Sequence, residues 1–523
     1  MLSVSTAVLV VGVFIFGLYR LLIRASIHRQ PEGTKELPGP KGFPIVGNLL
    51  QLPPHHTWLK FKEWADQYGP IYKISLAGTD HVIISSEKIA NDLMRERGSL
   101  YSDRDQAPMA AKLLSDDFRP LFLPYGETWR EFRKFAHQMT MPSAAVTYEP
   151  MQEEESLRVV HDLIRTPADY ERIFNRYAAS VIMRLAFGIT LFTGEEEAAQ
   201  RILKVDHELE RVASPGAYLV DMFPSMMYLP DFLAPFKREG KRLHAEELDL
   251  FRSLVTDVDR RRQAGDPSVN NTFTLRWLES KDDYKLSDDH AAYVLGTLFE
   301  AAAGTTSNSM MSLMLAITLH PDKYHKLQEE IDRHVPSSRL PSFADMPNLP
   351  YLRAFVKENL RWRPVTAGGL PHKLTARDDV YNGYSIRKNT IIHPVQWSIH
   401  RDTSLYPDPE SFIPERWLEA SYPTYKEPLT VYPNLQNYSN FGFGRRICVG
   451  QNVAERSLYI EAAMLAWACD IKEIPGKKPP EYDYITGFNT RPKWFDFELK
   501  ARRGREEVVK RVFEKTWGDR VMK

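Results

Sequence analysis

Apolar residues recur at helical spacing over most of the chain beyond Trp58, whereas alternating apolar runs are few and short. The clearest helix begins after Ser287, a residue type that favours the N-cap position, and ends before Pro321. At 1.5 Å per residue such a helix is about 48 Å long. Runs with strand character occupy residues 71–76 and 82–85. The pattern predicts a mainly α fold with minor β, of the α+β class.

The long helix is apolar around its whole circumference on both sides of a small polar segment, AAAGTTSNS, at Ala301–Ser309. An all-apolar circumference predicts a helix that is buried inside a large protein. Within the segment, threonine hydroxyls can bond to carbonyls one turn earlier, and Gly304 weakens the helix. Two interpretations follow. The segment is a notch for packing against another helix or, if a cofactor lies against it, the wall of a pocket.

Residues 1–24 are predicted to form an anchor, because an apolar run extends from Met1 to Ile23, is interrupted only by Arg20, and is long enough to cross a bilayer core, which needs roughly 20 residues. The run has no basic start and no small-x-small cleavage site, so the sequence favours a transmembrane anchor over a cleaved signal peptide. Arg20, Arg24 and Arg29 lie at or beyond its carboxyl end. Because basic residues favour the cytosolic side, the body of the protein is predicted to face the cytosol.

Residues 25–48 contain LPGPKGFPIVGN, in which Pro38, Pro40 and Pro44 each prevent a helix from continuing. They predict a stiff, extended, proline-rich neck. Residues 49–523 contain no Gly/Ser linker, no low-complexity tract and no internal repeat. Although this length exceeds the usual domain size, the sequence predicts a single domain over 49–523.

Charge and cysteine content exclude several classes of protein. Lysine plus arginine equals aspartate plus glutamate at 68 each, so nothing in the net charge predicts a nucleic-acid partner. The chain has two cysteines, Cys448 and Cys469, without a CxxC pair or a regular series of cysteines and histidines. This content argues against a disulfide scaffold and a structural zinc site, and it fits a reducing compartment.

One of the two cysteines lies in FGFGRRICVG, Phe441–Gly450. Glycines beside a reactive atom allow a sharp turn or the close approach of a large group. The two arginines supply positive charge and forked hydrogen-bond donors. Together these residues predict a thiolate that is held toward a bulky anionic partner.

Three further motifs are weak alone and informative together. Glu358 and Arg361 are spaced for one helix face, but so are many solvated pairs. Trp129 and Arg133, in YGETWREFRK, are four residues apart and share a helix face. FIPERW, which contains Arg416, follows the first pair along the chain and precedes the cysteine motif.

The ordered set resembles the haem-thiolate monooxygenases of the cytochrome P-450 superfamily, microsomal type, over essentially the whole chain. The matching elements are the anchor, the proline-rich neck, Trp-xxx-Arg, the small-residue–threonine helix, Glu-xx-Arg, Pro-Glu-Arg and Phe-xx-Gly-x-Arg-x-Cys-x-Gly. Short sequence motifs such as GGLPH, WSIHRD and PERW resemble those of fungal members of the superfamily that act in specialised metabolism. The resemblance implies a cytochrome P-450 fold with an N-terminal transmembrane helix.

The resemblance also implies haem b as the cofactor, with Cys448 as the axial ligand of the haem iron. A thiolate ligand favours cleavage of the O–O bond. The other residues implied for the cofactor site are Arg446, Arg133, Trp129 and His372 for the propionates, Gly442 and Gly444 for the turn, Gly450 for close approach, and Phe441 to cover the sulfur. Glu358, Arg361 and Arg416 would form a buried structural triad.

Thr305 matches the threonine that takes part in proton delivery in the family, but Gly304 stands where an acidic residue is typical. Water held by Thr305, Thr306 and Asn308 could replace that acid, or Glu300 could supply protons from one turn earlier; water is favoured. By resemblance the substrate pocket includes Met109, Leu298, Phe299, Ala302, Val365, Leu370 and Phe488.

The expected activity is insertion of one oxygen atom from O2 into a lipophilic small molecule, an intermediate of secondary metabolism. NADPH and flavins would act only through a separate reductase, with cytochrome b5 as a further electron-transfer partner, at the endoplasmic reticulum membrane. Two alternatives stay open: a reductase-independent haem-thiolate isomerase or dehydratase, and a non-catalytic haem sensor. No nucleic-acid partner is expected.

Overall fold

The computed structural model describes residues 31–214, 216–425 and 439–521, in which helices predominate. The α-helices are α1 Thr57–Tyr68, α2 Glu87–Asn91, α3 Gly98–Tyr101, α4 Glu127–Thr140, α5 Pro142–Val146, α6 Glu149–Arg165, α7 Tyr170–Phe187, α8 Glu197–Ala213, α9 Leu219–Met222, α10 Pro235–Gln263, α11 Phe273–Ser280, α12 Asp288–Leu319, α13 Pro321–His334, α14 Pro350–Trp362, α15 Gln396–Ile399, α16 Gln451–Ala468 and α17 Arg505–Val521. The predicted mainly α fold with minor β is confirmed.

The described residues divide into two compact units, and the first, residues 31–103 with 368–399, holds most of the strands. The strands of this unit are β1 Ile71–Leu76, β2 Thr79–Ile84, β3 His372–Lys373, β4 Asp379–Tyr381, β5 Tyr384–Ile386 and β6 Ile391–Pro394. Four of them form a sheet in the order β1-β2-β6-β3, and β4 pairs with β5. Ala77 and Gly78 have φ of +47° and +88°, the two left-handed residues that close a tight hairpin between β1 and β2.

The second unit, residues 104–367 with 400–521, is built around α12. The side chain of Ser287 caps this helix by accepting a hydrogen bond from the backbone N–H of His290 at 3.2 Å. The helix packs against α7 and α10, and a Cβ at Gly296 would overlap the ring of Phe251 on α10. Strands β7 Cys469–Lys472 and β8 Glu498–Ala501 form an antiparallel pair at the carboxyl end.

Several predictions made from the sequence can be compared with these elements. The long helix between Ser287 and Pro321 and the strand over 71–76 are confirmed, and β2 begins three residues earlier than the predicted run at 82–85. The described part of the neck contains no helix before residue 49. The predicted anchor over 1–24 lies outside the described residues, and the single domain over 49–523 stays a prediction. Among the residues that the structure describes, no helix has both the length and the apolar character needed to cross a membrane.

Candidate active site

The segment that carries Cys448 folds back on itself. The backbone N–H of Cys448 donates to the carbonyl oxygen of Phe441 at 2.8 Å. Gly442 and Gly444, with φ of +87° and +56°, make the reversal, because residues with a Cβ rarely adopt these angles. Gly450 then forms the N-cap of α16, so the thiol lies just before the start of an 18-residue helix.

The groups around the Cys448 thiol counteract the effect of burial on its pKa. Burial raises the pKa of Cys448, while the backbone N–H of Gly450, the guanidinium of Arg133 and the N–H of Gln451 act in the opposite direction. These groups all favour a thiolate, as does the positive end of the helix dipole. Cys448 nevertheless has accessible surface. A side chain can be accessible and still surrounded by protein where it lines a recess within the protein.

Arg133, Arg446 and Trp129 lie around the same segment. Nη1 of Arg133 donates to the carbonyl of Ile447, next to the cysteine, at 2.6 Å. Nη2 of Arg446 donates to the carbonyl of Leu123 at 2.6 Å, and its guanidinium carbon lies 4.5 Å from the ring centroid of Trp129. The structure therefore brings together three of the four side chains that the sequence assigns to the propionates.

His372 lies in the other compact unit. It is buried in β3, and its Nδ1–H donates to the carbonyl oxygen of Tyr101 at 2.7 Å. This bond fixes the ring within the strand-rich unit. Its role toward a propionate stays a prediction.

One face of α12 is open although the helix is otherwise buried. From residue 291 to residue 318, every residue is buried except Leu298, Ala301, Ala302, Gly304 and Thr305. The spacing of i, i+3, i+4 and i+7 places most of these residues on one face. The turns of α12 before and after this face are buried, so the open face lines an internal recess. It contains Thr305 and two of the predicted substrate-pocket residues.

Thr305 and Gly304 shape the middle of the open face. The hydroxyl of Thr305 donates to the carbonyl of Ala301 one turn earlier at 2.7 Å, the local bond that threonine favours in helices. Gly304 has room for a side chain, since the nearest atom to an added Cβ would be Nδ2 of Asn489 at 3.7 Å. Thr306 is buried.

Glu300 belongs to a buried ionic cluster that the sequence analysis did not find. Arg119 donates to Glu300 through Nη1 and to Glu247 through Nη2. All three side chains are nearly inaccessible. The three residues are far apart along the chain and follow no motif. A buried arginine between two acids therefore leaves no local signal in the sequence.

The remaining predicted pocket residues are divided among different surroundings. Phe299 is buried in the main core, and Met109 lies in a second apolar cluster with Val220 and Leu243. Val365 is buried, and its carbonyl accepts a hydrogen bond from the backbone N–H of Thr490 at 2.8 Å. Phe488 is 46% exposed, and Leu370 lies in the strand-rich unit.

The structure brings Glu358, Arg361 and Arg416 together with no accessible surface. Oε1 of Glu358 accepts from Nη2 of Arg361 at 2.7 Å and from Nε of Arg416 at 3.1 Å. Oε2 accepts from Nε of Arg361 at 2.9 Å and from the indole of Trp417 at 3.1 Å. Both guanidinium groups also donate to backbone carbonyls, for example those of residues 407, 408 and 409. The cluster ties α14 to the segment that follows residue 400.

The residues of the second unit fit a haem. Cys448 offers an exposed sulfur beside amide and guanidinium groups that stabilise a thiolate. Arg133 and Arg446 offer cations for two buried carboxylates, which are costly to bury unpaired. The open face of α12, which consists mostly of alanine, glycine and threonine, offers a surface of small residues.

Comparison of the sequence with known proteins identifies one family. The model described as Cytochrome P-450 matches residues 37–499. Cytochrome P-450 monooxygenase 58 of Postia placenta is 36% identical over 489 residues, which cover 92% of this chain and 91% of the relative. Cytochrome P-450 monooxygenase fogE of Aspergillus ruber is 35% identical, with 99% and 95% covered. A third relative, named Echilunin cytochrome P-450 monooxygenase, from the same fungus, is 36% identical, with 90% and 84% covered.

The fold agrees with this match. A zebra fish cytochrome P-450, solved with abiraterone, superposes with a TM-score of 0.68 at 20% identity and covers 86% of this chain. At that identity the likeness shows the fold alone, while the family match and the fungal relatives show the enzyme class. The chain therefore belongs to the cytochrome P-450 family of haem-dependent monooxygenases.

Proposed function

We propose that the protein inserts one oxygen atom into a lipophilic intermediate of fungal secondary metabolism, with electrons from NADPH through a separate reductase. The observation that carries this proposal is the open face of α12, where Leu298, Ala301 and Ala302 offer apolar surface beside the hydroxyl of Thr305. Such a face suits an apolar substrate that must be oriented close to a proton-handling group. The fungal relatives, one of which is named for echilunin, favour a specialised metabolite.

The roles of the residues follow from the geometry. Cys448 would hold haem through its thiolate, and Arg446, Arg133 and Trp129 would hold the haem carboxylates. When bound, haem supplies the oxygen chemistry that side chains cannot perform. The amide groups of Gly450 and Gln451 stabilise negative charge on the sulfur. The open face of α12 positions the substrate and excludes water from it.

Membrane association is part of the same proposal. Residues 1–24 would anchor the protein in the endoplasmic reticulum membrane, with the catalytic body in the cytosol. Supporting this, the segment between α8 and α10 exposes apolar side chains: Leu219, Phe223, Tyr228, Phe232 and Leu233, with Tyr228 91% exposed. Several exposed apolar side chains in one short segment are typical of a surface that meets a membrane or another protein.

Reconstitution tests the proposed function. Purified holoenzyme, a microsomal NADPH-dependent reductase and a fungal metabolite extract are combined under labelled oxygen, with and without NADPH. A monooxygenase incorporates one labelled atom only when NADPH and reductase are present. A product that forms without them supports the isomerase or dehydratase instead, and binding without any product supports the sensor.

Thr305→Ala is expected to lower the product formed per NADPH severalfold and to raise the release of hydrogen peroxide. The hydroxyl is the proton-handling group on the open face, where it donates to the carbonyl of Ala301, and the substitution removes it. Thr318→Ala serves as the matched control, because Thr318 makes the same bond one turn back, to Met314 at 2.8 Å, away from the open face. Equal coupling in both variants would remove Thr305 from the mechanism.

Arg446→Ala is expected to weaken haem affinity by roughly tenfold or more, since a hydrogen bond to a charged group contributes about 1.5–3 kcal/mol. Haem retention during gel filtration and transfer to apomyoglobin measure this effect. Arg445→Ala is the neighbouring control, because Arg445 is exposed and donates to the hydroxyl of Tyr125.

We expect Arg445, with Arg130 and Lys134, to form the basic docking face for the reductase. Arg445→Ala should thus slow reduction at low salt and leave haem affinity unchanged, whereas equal haem loss in both variants would contradict these assignments.

A further inference from the structure

The ionic cluster around Arg119 lies next to the open face of α12 and is not used in the function proposed so far. Arg119 donates to Oε2 of Glu300 and to Oε1 of Glu247, and its Nε donates to the hydroxyl of Ser115 at 3.2 Å. One guanidinium thus holds two buried carboxyl groups. If both carboxyls were ionised, the cluster would carry an excess negative charge in the core, which is costly.

The excess is relieved by a proton on Glu300. Burial raises the pKa of Glu300 to about 8; the guanidinium of Arg119 acts in the opposite direction, and the carboxylates of Glu247 and Asp206 add to the rise. Oε2 of Glu300 accepts from Arg119, so the proton resides on Oε1. Oε1 is buried and has no hydrogen-bond partner among the described residues. At neutral pH, Glu300 is therefore a carboxylic acid with an unused O–H donor.

Glu300 borders the open face along the helix. Glu300 and Gly304 are one turn apart on α12 and are therefore neighbours along the edge of that face. Gly304 contributes no side chain there, and an added Cβ would meet only Nδ2 of Asn489 at an ordinary contact distance. Glu300 is therefore an acid one helical turn before the position that lacks one.

The cluster also connects directly to the segment that holds Arg446. Arg446 donates to the carbonyls of Pro120 and Leu123, which follow Arg119 in the chain. The same short segment therefore fixes a predicted haem-binding arginine and the partner of Glu300. This connection places the cluster at the edge of the catalytic site.

A chain of hydrogen bonds leads from the cluster to the surface. Oε2 of Glu247 accepts from the hydroxyl of Tyr293, whose oxygen lies 3.0 Å from Nδ1 of His244. Nδ1 also lies 3.0 Å from the carbonyl of Leu114, which can only accept, so Nδ1 carries a proton. Nε2 of His244 lies 4.0 Å from a carboxylate oxygen of the exposed Asp116. Both oxygens of Glu247 thus accept a hydrogen bond, one from Arg119 and one from Tyr293, so the chain ends at Glu247 and the proton of the cluster resides on Glu300.

We propose that Glu300 holds at Oε1 the proton that this enzyme delivers into its catalytic pocket, in place of the acid absent at Gly304. Each delivery leaves Glu300 as a carboxylate beside Arg119, and a proton taken up from water restores the acid. No electron is exchanged. The proposal rests on the monooxygenase function argued above and specifies how its protons are supplied.

Infrared spectroscopy of the holoenzyme tests the protonation state directly. Wild-type protein should show the C=O stretching band of a protonated carboxyl group that is lost as the pH rises through about 8. Glu300→Gln should lack that band, and Glu330→Gln should retain it. Glu330 is the control because it is a buried carboxyl that accepts the backbone N–H groups of Tyr351 and Leu352, both at 2.8 Å, on other elements. A difference spectrum in which Glu300→Gln removes no band at pH 7 would overturn the proposal.

Peroxide release by the substrate-free enzyme with reductase and NADPH tests the function of the proton. In wild type, the share of electrons recovered as hydrogen peroxide should rise above pH 8, where Glu300 is ionised. In Glu300→Gln the share should be severalfold higher at pH 7 and independent of pH over that range. An unchanged share in Glu300→Gln at pH 7 would contradict the proposal.

A rescue variant tests the same proposal by restoring the function that Glu300→Gln removes. The double variant Glu300→Gln with Gly304→Asp places a carboxyl one turn further on, where there is room for it, and should restore the low peroxide share. Failure to restore it in a folded, haem-loaded protein would count against delivery at this edge of α12.

The infrared titration needs no NADPH, so its failure overturns this proposal alone. A wild-type holoenzyme that consumes no NADPH with reductase would instead overturn the proposed function and leave the infrared result standing.

Discussion

Replacing Cys448 by serine is expected to abolish NADPH-dependent oxygenation and to remove most of the bound haem. An alcohol at this position does not ionise near neutral pH, whereas the amides of Gly450 and Gln451 and the guanidinium of Arg133 stabilise the thiolate. Without that anionic ligand, the position no longer binds iron strongly or donates electron density to it. Haem bound per polypeptide and product formed per minute are the measurements.

Cys469→Ala is the matched control for that experiment. Cys469 is the other cysteine of the chain; it is buried at the start of β7, and burial raises the pKa of its thiol to about 12. It is thus a neutral core residue, and its replacement should leave haem content and turnover close to wild type. Full haem content and activity in Cys448→Ser would contradict the assignment of the ligand.

Glu358→Gln is expected to lower the free energy of unfolding by about 3–5 kcal/mol, the usual cost of leaving a buried charge without its partner. Arg361 and Arg416 have no accessible surface and share this one carboxylate. An amide cannot balance their charge, and its NH2 group faces donors where an acceptor is required. The midpoint of urea unfolding, followed by helical circular dichroism and by haem absorbance, measures the loss.

Glu246→Gln is the control for the triad. Glu246 pairs with Arg242 at 2.5 Å on the surface of α10, where both side chains are roughly half exposed. An exposed pair contributes about 0–1 kcal/mol, so this variant should unfold close to wild type. Equal destabilisation by the two substitutions would show that burial of the triad is not what stabilises the fold.

Features that depend on near neighbours in the chain could be predicted from the sequence. The bounds of α12 follow from a serine cap and a proline stop, and β1 follows from a short apolar run. The reversal at Gly442 and Gly444 follows from two glycines that flank one residue. In each case, the residues that determine the conformation lie within a few positions of it, so their pattern is visible in one segment.

Features that depend on distant partners could not be predicted. Arg119 contacts Glu247 and Glu300, which are 128 and 181 residues away, and no spacing rule connects them. Similarly, a helix that is apolar all round gives no indication of which face is open. Leu298 therefore lies on the recess while its neighbour Phe299 is buried in the core. Only tertiary packing distinguishes these two positions.

The absorption spectrum of the reduced, carbon monoxide-bound protein tests most directly whether the sulfur of Cys448 binds the haem iron. Wild-type protein should show the red-shifted Soret band of a thiolate-ligated haem, and Cys448→Ser should not. A wild-type spectrum typical of imidazole ligation, or a thiolate band that persists in Cys448→Ser, would contradict the account.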